Sequence, residues 1–365
     1  MPSGDVKVVG SPRVEGLPLP RDEGEESEEM ILYGVHTTFE EVAKAAVPKF
    51  RTTPGRLLYA GFMAGAFIAF GFTLATIAAC VAKFPPYAVG GTFNQPLFKL
   101  LLGAVFPMGL IAVVIAGADL WTGNVQSLGS AKGMGYADWR HVIYNWFGSY
   151  GGNFIGSIFL ALMAVPLTGL FGTTGHPNPF GQAAVSIAQK KASLDAISLF
   201  FRGVGCNWLV NLAVWQAARV KDGAGKILAI WFPIFAFVAI GYEHAIANMW
   251  VIPTAVFASA HKVTWSQLFY NLMPVTLGNA VGGFLFVPFY YWYLGHPELS
   301  TKRVYRELLD FVAVTLLFFA LAVLVPAGIA YGLEAALRKA ATYVVPTVVS
   351  AYYAAGTFAL RRIAR

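Results

Sequence analysis

Apolar residues run in long unbroken stretches along most of the chain, over about 57–81, 98–128, 142–171, 193–218, 227–257, 268–293, 310–331 and 342–360. A helix needs about 20 residues to cross a hydrocarbon core, because each residue advances it only about 1.5 Å. Backbone polar groups find no water there, so such runs are helices. The pattern predicts an all-α polytopic membrane protein with eight spans. Basic segments punctuate it at alternate ends: Lys49, Arg51 and Arg56; Lys132 and Arg140; ARVKDGAGK; Lys302, Arg303 and Arg306; and the closing RRIAR. Lys and Arg collect on the cytoplasmic side. Both termini are therefore expected inside the cell membrane.

Two of the runs are interrupted by polar residues. GADLWTGN breaks the second around Asp119, and GYEHAIANM breaks the fifth around Glu243 and His244. The interruptions share a spacing. Asp119 precedes Asn124 by five residues, as Glu243 precedes Asn248. In the runs that follow, Asn145 precedes Asn153 of GNFIG by eight, as Asn271 precedes Asn279 of GNAVG. Spans one to three therefore repeat as spans four to six. Three spans per repeat force opposite orientations in the bilayer, and inverted repeats with broken helices point to a transport site near the midplane.

Composition sharpens this in one place. The chain is 57% hydrophobic and 12% charged, against about a quarter charged in soluble domains. Its first thirty residues nevertheless hold eight acids and three bases, leaving the remainder at +12. Residues 1–36 read as a disordered acidic tail, and 37–56 as an interfacial amphipathic helix. Its start is expected at a Thr-x-x-Glu capping box in TFEE. The basic balance belongs to the membrane surface, with no nucleic-acid partner required. Cys80 and Cys206 both fall inside apolar runs and imply neither a disulfide framework nor a metal site.

His244 is the one histidine of six inside an apolar run. Ionisable side chains at that depth are costly, so they mark pathways and proton relays, and imidazole exchanges a proton near neutral pH. Its expected companions are Thr122 and Asn207, with Lys191 at the mouth concentrating an anion. Phe106, Leu110, Leu120 and Phe237 are candidates for apolar constrictions. Asp119, Glu243, Asn124 and Asn248 would hold the broken segments. An intramembrane enzyme is disfavoured: His-Glu-x-x-His spacing is absent, and no second membrane histidine completes a zinc site. No cofactor is expected. A neutral-solute channel is the other alternative, although the Asn-Pro-Ala half-helix motif is missing from both breaks.

The set AGAFIAFGF, GADLWTG, RGVGCNWLVNLAVW, GYEHAIANMWVIP and NLMPVTLGNAVGG resembles the formate/nitrite transporter family. The resemblance implies an aquaporin-like six-helix pore domain over 57–296, assembled as a homopentamer in membrane lipid. It implies passage of small monovalent weak-acid anions, formate first and nitrite, lactate, acetate or hydrosulfide as alternatives, linked to protons. In it His244 stands for the central pore histidine, Thr122 for the mobile-loop threonine, and Lys191 and Asn207 for the vestibule lysine and buried asparagine. Phe106, Leu110, Leu120 and Phe237 match its constriction residues. Trp121 departs from a position usually held by Phe. Residues 297–365, an extra transmembrane hairpin and basic tail, lie outside the resemblance.

Overall fold

The computed structural model describes residues 32–83, 93–259, 261–296, 298–332 and 335. The acidic tail, up to residue 31, and the last predicted span, over 342–360, lie outside them. Helix α1 spans Val35–Arg51 and leads into α2, Pro54–Ala79, whose Pro sits at the first helical position, where no intrahelical N–H bond is lost. Next come α3, Gln95–Val105, and α4, Met108–Ala116, offset at Pro107. After a four-residue break, α5 runs Trp121–Gly133 and α6 Trp139–Leu162. A short hairpin of β1, Gly172–Thr173, and β2, His176–Pro177, leads to α7, Pro179–Ala192. Then follow α8, Ala196–Arg219; α9, Gly223–Ile240; α10, Ala245–Ala258; α11, Trp265–Leu285; α12, Pro288–Gly295; and α13, Thr301–Phe319. Among the described residues, seven helices are long and apolar enough to cross a membrane.

The two interrupted runs differ from their sequence reading as single broken spans. Gln95–Ala116 is 22 residues, about 33 Å of helix, and crosses a hydrocarbon core unaided. The break therefore closes a full span and opens a half-length one. α5 has 13 residues and α10 has 14, about 20 Å each. Glycine ends the preceding helix both times: Gly117 and Gly241 adopt φ of 79° and 94°, left-handed values that cost a β-carbon-bearing residue strain.

Two further expectations change. α1 begins at Val35 with Gly34 as its cap, and Thr38 donates its hydroxyl to the Gly34 carbonyl within the first turn instead of capping. The Gly- and Pro-rich stretch between the third and fourth apolar runs, which the pattern leaves without a helix, contains α7. Asn178 accepts from the Gly181 amide and Pro179 follows as first residue, so the helix starts by ordinary N-capping.

The pairs α2–α6 and α8–α11 form the core of the two halves. In hydrocarbon, helices associate through close van der Waals contact, which small residues allow. A β-carbon on Gly152 would collide with the Leu58 carbonyl, and one on Gly278 with the Phe200 carbonyl. The two contacts occupy matching places in the two halves.

Candidate functional site

Both breaks expose backbone at membrane depth, and both satisfy it in the same way. Gly117 and Ala118 donate to the Val113 carbonyl at 3.1 and 2.9 Å, while Gly241 and Tyr242 donate to the Phe237 carbonyl at 3.1 and 3.0 Å. The Asp119 amide reaches the Ala60 carbonyl and the Glu243 amide the Arg202 carbonyl, each at 3.2 Å. Asn153 then holds the first break. Its Oδ1 accepts from the Trp121 amide at 2.9 Å, and its Nδ2 donates to the Gly61 and Asp119 carbonyls at 2.8 and 3.0 Å. Asn279 does the same for Ala245 (2.9 Å), Gly203 (2.8 Å) and Glu243 (2.9 Å). An unpaired buried amide in hydrocarbon costs several kcal/mol, so one side chain per break removes several such costs.

The acids are also matched. Lys49 Nζ lies 3.1 Å from Asp119 Oδ1, and Lys191 Nζ lies 2.9 Å from Glu243 Oε2. Asn124 and Asn248 donate to Asn145 and Asn271 at 2.8 and 2.7 Å. Asn145 and Asn271 each donate to the carbonyl of the corresponding lysine at 3.2 Å. The sequence reading placed Lys191 at the mouth and Lys49 on the membrane edge. Both are ion-pair partners of the breaks, held by α7 and α1 respectively, and each also lines the cavity at its own end.

The breaks come together at their tips. His244 caps α10: its Nδ1 accepts from the Ala247 amide at 3.1 Å. In neutral imidazole the ring proton is then on Nε2, which lies 2.9 Å from Thr122 Oγ1. Thr122 belongs to the first turn of α5, and its carbonyl receives the Nδ2 groups of Asn207 and Asn211 at 3.2 and 3.1 Å. Asn207 thus supports the backbone behind Thr122 and contacts the Asn279 carbonyl, whereas Thr122 and His244 meet directly. Asn211, one turn along α8, shares the task and was missed from sequence; its four-residue spacing from Asn207 was the available signal.

A cavity of about 530 Å³ opens beside His244 at the α7 end. It is lined by Lys83, Lys99, Lys190, Lys191 and Arg202, with Glu243 the single carboxylate among the described lining residues. Lys99 and Arg202 donate to the Ile240 and Gly241 carbonyls, where the C-terminal end of α9 favours cations. Toward His244 the wall becomes aromatic. Phe106 meets Phe72 and Phe237 edge-on at 5.5 and 5.8 Å, and Phe237 lies 6.0 Å from the His244 ring. Phe72 completes a set whose other two members were expected; its only sequence mark is its place at the end of AGAFIAFGF. A second cavity, of about 720 Å³, lies at the α1 end and is lined by Lys49, Arg56, Asp119, Leu110 and Leu120. The constriction candidates therefore divide, with two aromatic rings facing one cavity and two leucines the other, and Thr122–His244 between them.

Trp121 faces away from this axis. It is fully buried and stacks on Phe318 of α13 at 5.5 Å.

Known proteins resemble the chain over about two-thirds of its length. Residues 36–293 match the formate/nitrite transporter family model. The chain is 43% identical over 258 residues, 66% of its length and 88% of the relative, to a "Probable formate transporter" of Methanothermobacter thermautotrophicus. It is 34% identical over 254 residues to the nitrite transporter NirC of Escherichia coli (strain K12), covering 68% of this chain and 84% of that protein. A solved structure described as a pentameric formate channel with formate bound superposes with a TM-score of 0.56 at 30% identity, over 66% of this chain and 97% of that one. The chain is an integral membrane protein of transporters and channels, not enzymes, and it belongs to the formate/nitrite transporter family.

Proposed function

We propose that the chain forms a pore for small monovalent weak-acid anions, with formate the principal substrate and nitrite carried by the same route. The observation that carries this reading is the Thr122–His244 pair, buried between two cavities that both hold Lys and Arg side chains, the α7-end one narrowing at aromatic rings and the α1-end one bordered by Leu110 and Leu120. The higher identity to a formate relative than to a nitrite relative favours formate. The α1 end, with its flanking Lys and Arg, faces the cytoplasm, and five aquaporin-like protomers assemble in the bilayer, as in the pentameric formate channel.

Transport follows from the order of surfaces. The lysines and Arg202 raise the anion concentration in the α7-end cavity. An ion cannot pass the rings of Phe72, Phe106 and Phe237 without a large desolvation cost. The carboxylate therefore takes a proton that the bulk solution delivers through the hydrated cavity, and enters as the neutral acid. At the centre His244 Nε2–H turns from Thr122 to a substrate oxygen, a hydrogen bond where water is excluded. Its other nitrogen is held by Ala247, so neutral His244 donates a bond while the neutralising proton comes from the cavity. The acid leaves past Leu110 and Leu120 and releases its proton.

The test is uptake of formate, nitrite, lactate and hydrosulfide into proteoliposomes, with and without an inward proton gradient. The expected result is formate uptake accelerated by the gradient. No uptake of any of the four above empty vesicles defeats the proposal. His244→Asn retains a cap and a donor, and is expected to keep gradient-dependent uptake. Loss of that dependence would instead make His244 the proton donor.

A further inference from the structure

The family match ends at residue 293, yet α13 beyond it is built into the pore domain. It lies across α6 and α11 and reaches α5 at both ends through side chains. At the start of α5, Trp121 stacks on Phe318 with ring planes 16° apart. At its end, Lys132 makes a two-oxygen ion pair with Glu307 at 2.8 and 2.9 Å, both side chains largely buried. Trp121 and Lys132 are eleven positions apart, and so are Glu307 and Phe318. The two helices are therefore matched in length and opposed in direction. Between these ends, Phe311 lies flat on Phe284 of α11 at 3.9 Å.

We propose that α13 is a brace for the half-helix α5, and that Phe318 is a positioning residue which sets Leu120 and Thr122 through Trp121. The chemistry is specific. Phe318 is fully buried, and besides Trp121 it touches the rings of Trp146, Phe147 and Tyr150 at 5.2 to 5.4 Å. Aromatic contacts of this kind fix ring orientation as well as burying area. Trp121 is the first residue of α5, with Leu120 on one side and Thr122 on the other. A shift of the indole moves both. At the matching position of the second break stands Ala245, which has no ring to be held. The proposal rests on Thr122 lining the pore, but its structural test does not.

Amide hydrogen exchange on the full chain in nanodiscs, compared with formate flux in vesicles, tests it. Phe318→Ala is expected to accelerate exchange across residues 117–126 by at least about tenfold and leave 241–248 unchanged. Flux at saturating formate should change while half-saturation, set in the α7-end cavity, does not. Glu307→Gln should loosen 128–134 more than 117–126. Leu309→Ala, on the exposed face of α13, should change nothing. Should Phe318→Ala fail to fold, Phe318→Leu carries the same expectation with a smaller effect, and Phe318→Tyr should restore protection. Unchanged exchange at 117–126, or equal acceleration at both breaks, overturns the brace. Vesicles impermeable to all four anions, with 117–126 still responding, would defeat the transport reading and leave the brace standing.

Discussion

The break before α5 and the break before α10 share a backbone and differ in side chains. Glycine ends the preceding helix, an asparagine takes the next free amides, and a lysine neutralises the acid, identically in both. The tips then diverge. Leu120 stands where His244 does, Trp121 where Ala245 does, and Thr122 where Ile246 does. The shared part is what membrane depth demands of any interrupted helix. The divergent part gives the path a donor on one side and a hydroxyl on the other, with apolar walls around them. Symmetry here belongs to the backbone's needs, and asymmetry to the cargo.

The sharpest way to break this equivalence is through the asparagines. Asn153→Leu and Asn279→Leu each orphan three buried backbone groups, and each should lower stability by about 5 kcal/mol. Thermal unfolding in detergent is the measurement; a large loss in one variant only would end the equivalence. Removing a lysine should separate the halves. Lys191→Met leaves Glu243 almost wholly buried and unpaired, for about 3 kcal/mol. Lys49→Met should cost less, since Lys49 is 30% exposed against 14% for Lys191. Equal losses would mean that solvent does not discriminate the two pairs. His244→Leu removes both the cap of α10 and the donor, and is expected to reduce formate flux by about tenfold or more, with a loss of about 1 kcal/mol from the cap. Leu120→Met, which removes no cap and nearly conserves volume at a buried position, should leave stability within about 1.5 kcal/mol of the parent. The smallest effect is expected for Trp121→Phe, which keeps an aromatic ring against Phe318, at under about 1 kcal/mol by unfolding.

What was legible in the sequence was periodic or local. The paired Asn spacings announced the repeat, and Asn153 and Asn279 perform identical bonding. His244 stood out because a polar residue is rare in an apolar run. Length carried a signal that was read incompletely: 98–128 is about 46 Å as helix, too long for one crossing, so a full span and a half-length helix fit it better. The start of α7 was signalled by Asn178 and Pro179 but hidden among glycines and prolines that also suit a loop. Pairings across long separations left no mark. Lys49 finds Asp119 seventy residues on, and Phe318 finds Trp121 from outside the family's span. A lysine beside a membrane edge looks alike whether it faces headgroups or a buried carboxylate.

His244 holds two posts at once, since it ends the exposed amides of a helix and furnishes the donor at the narrow centre. Anyone re-engineering what this pore admits has little freedom at that position. Asn, Asp, Ser, Thr and Gly keep a helix start, and all but Gly bring their own polarity to the path. Leu120 is under no such obligation, since its side chain caps nothing. The first break is therefore where the admitted cargo is most open to redesign, and the second is where the helix start narrows the choice.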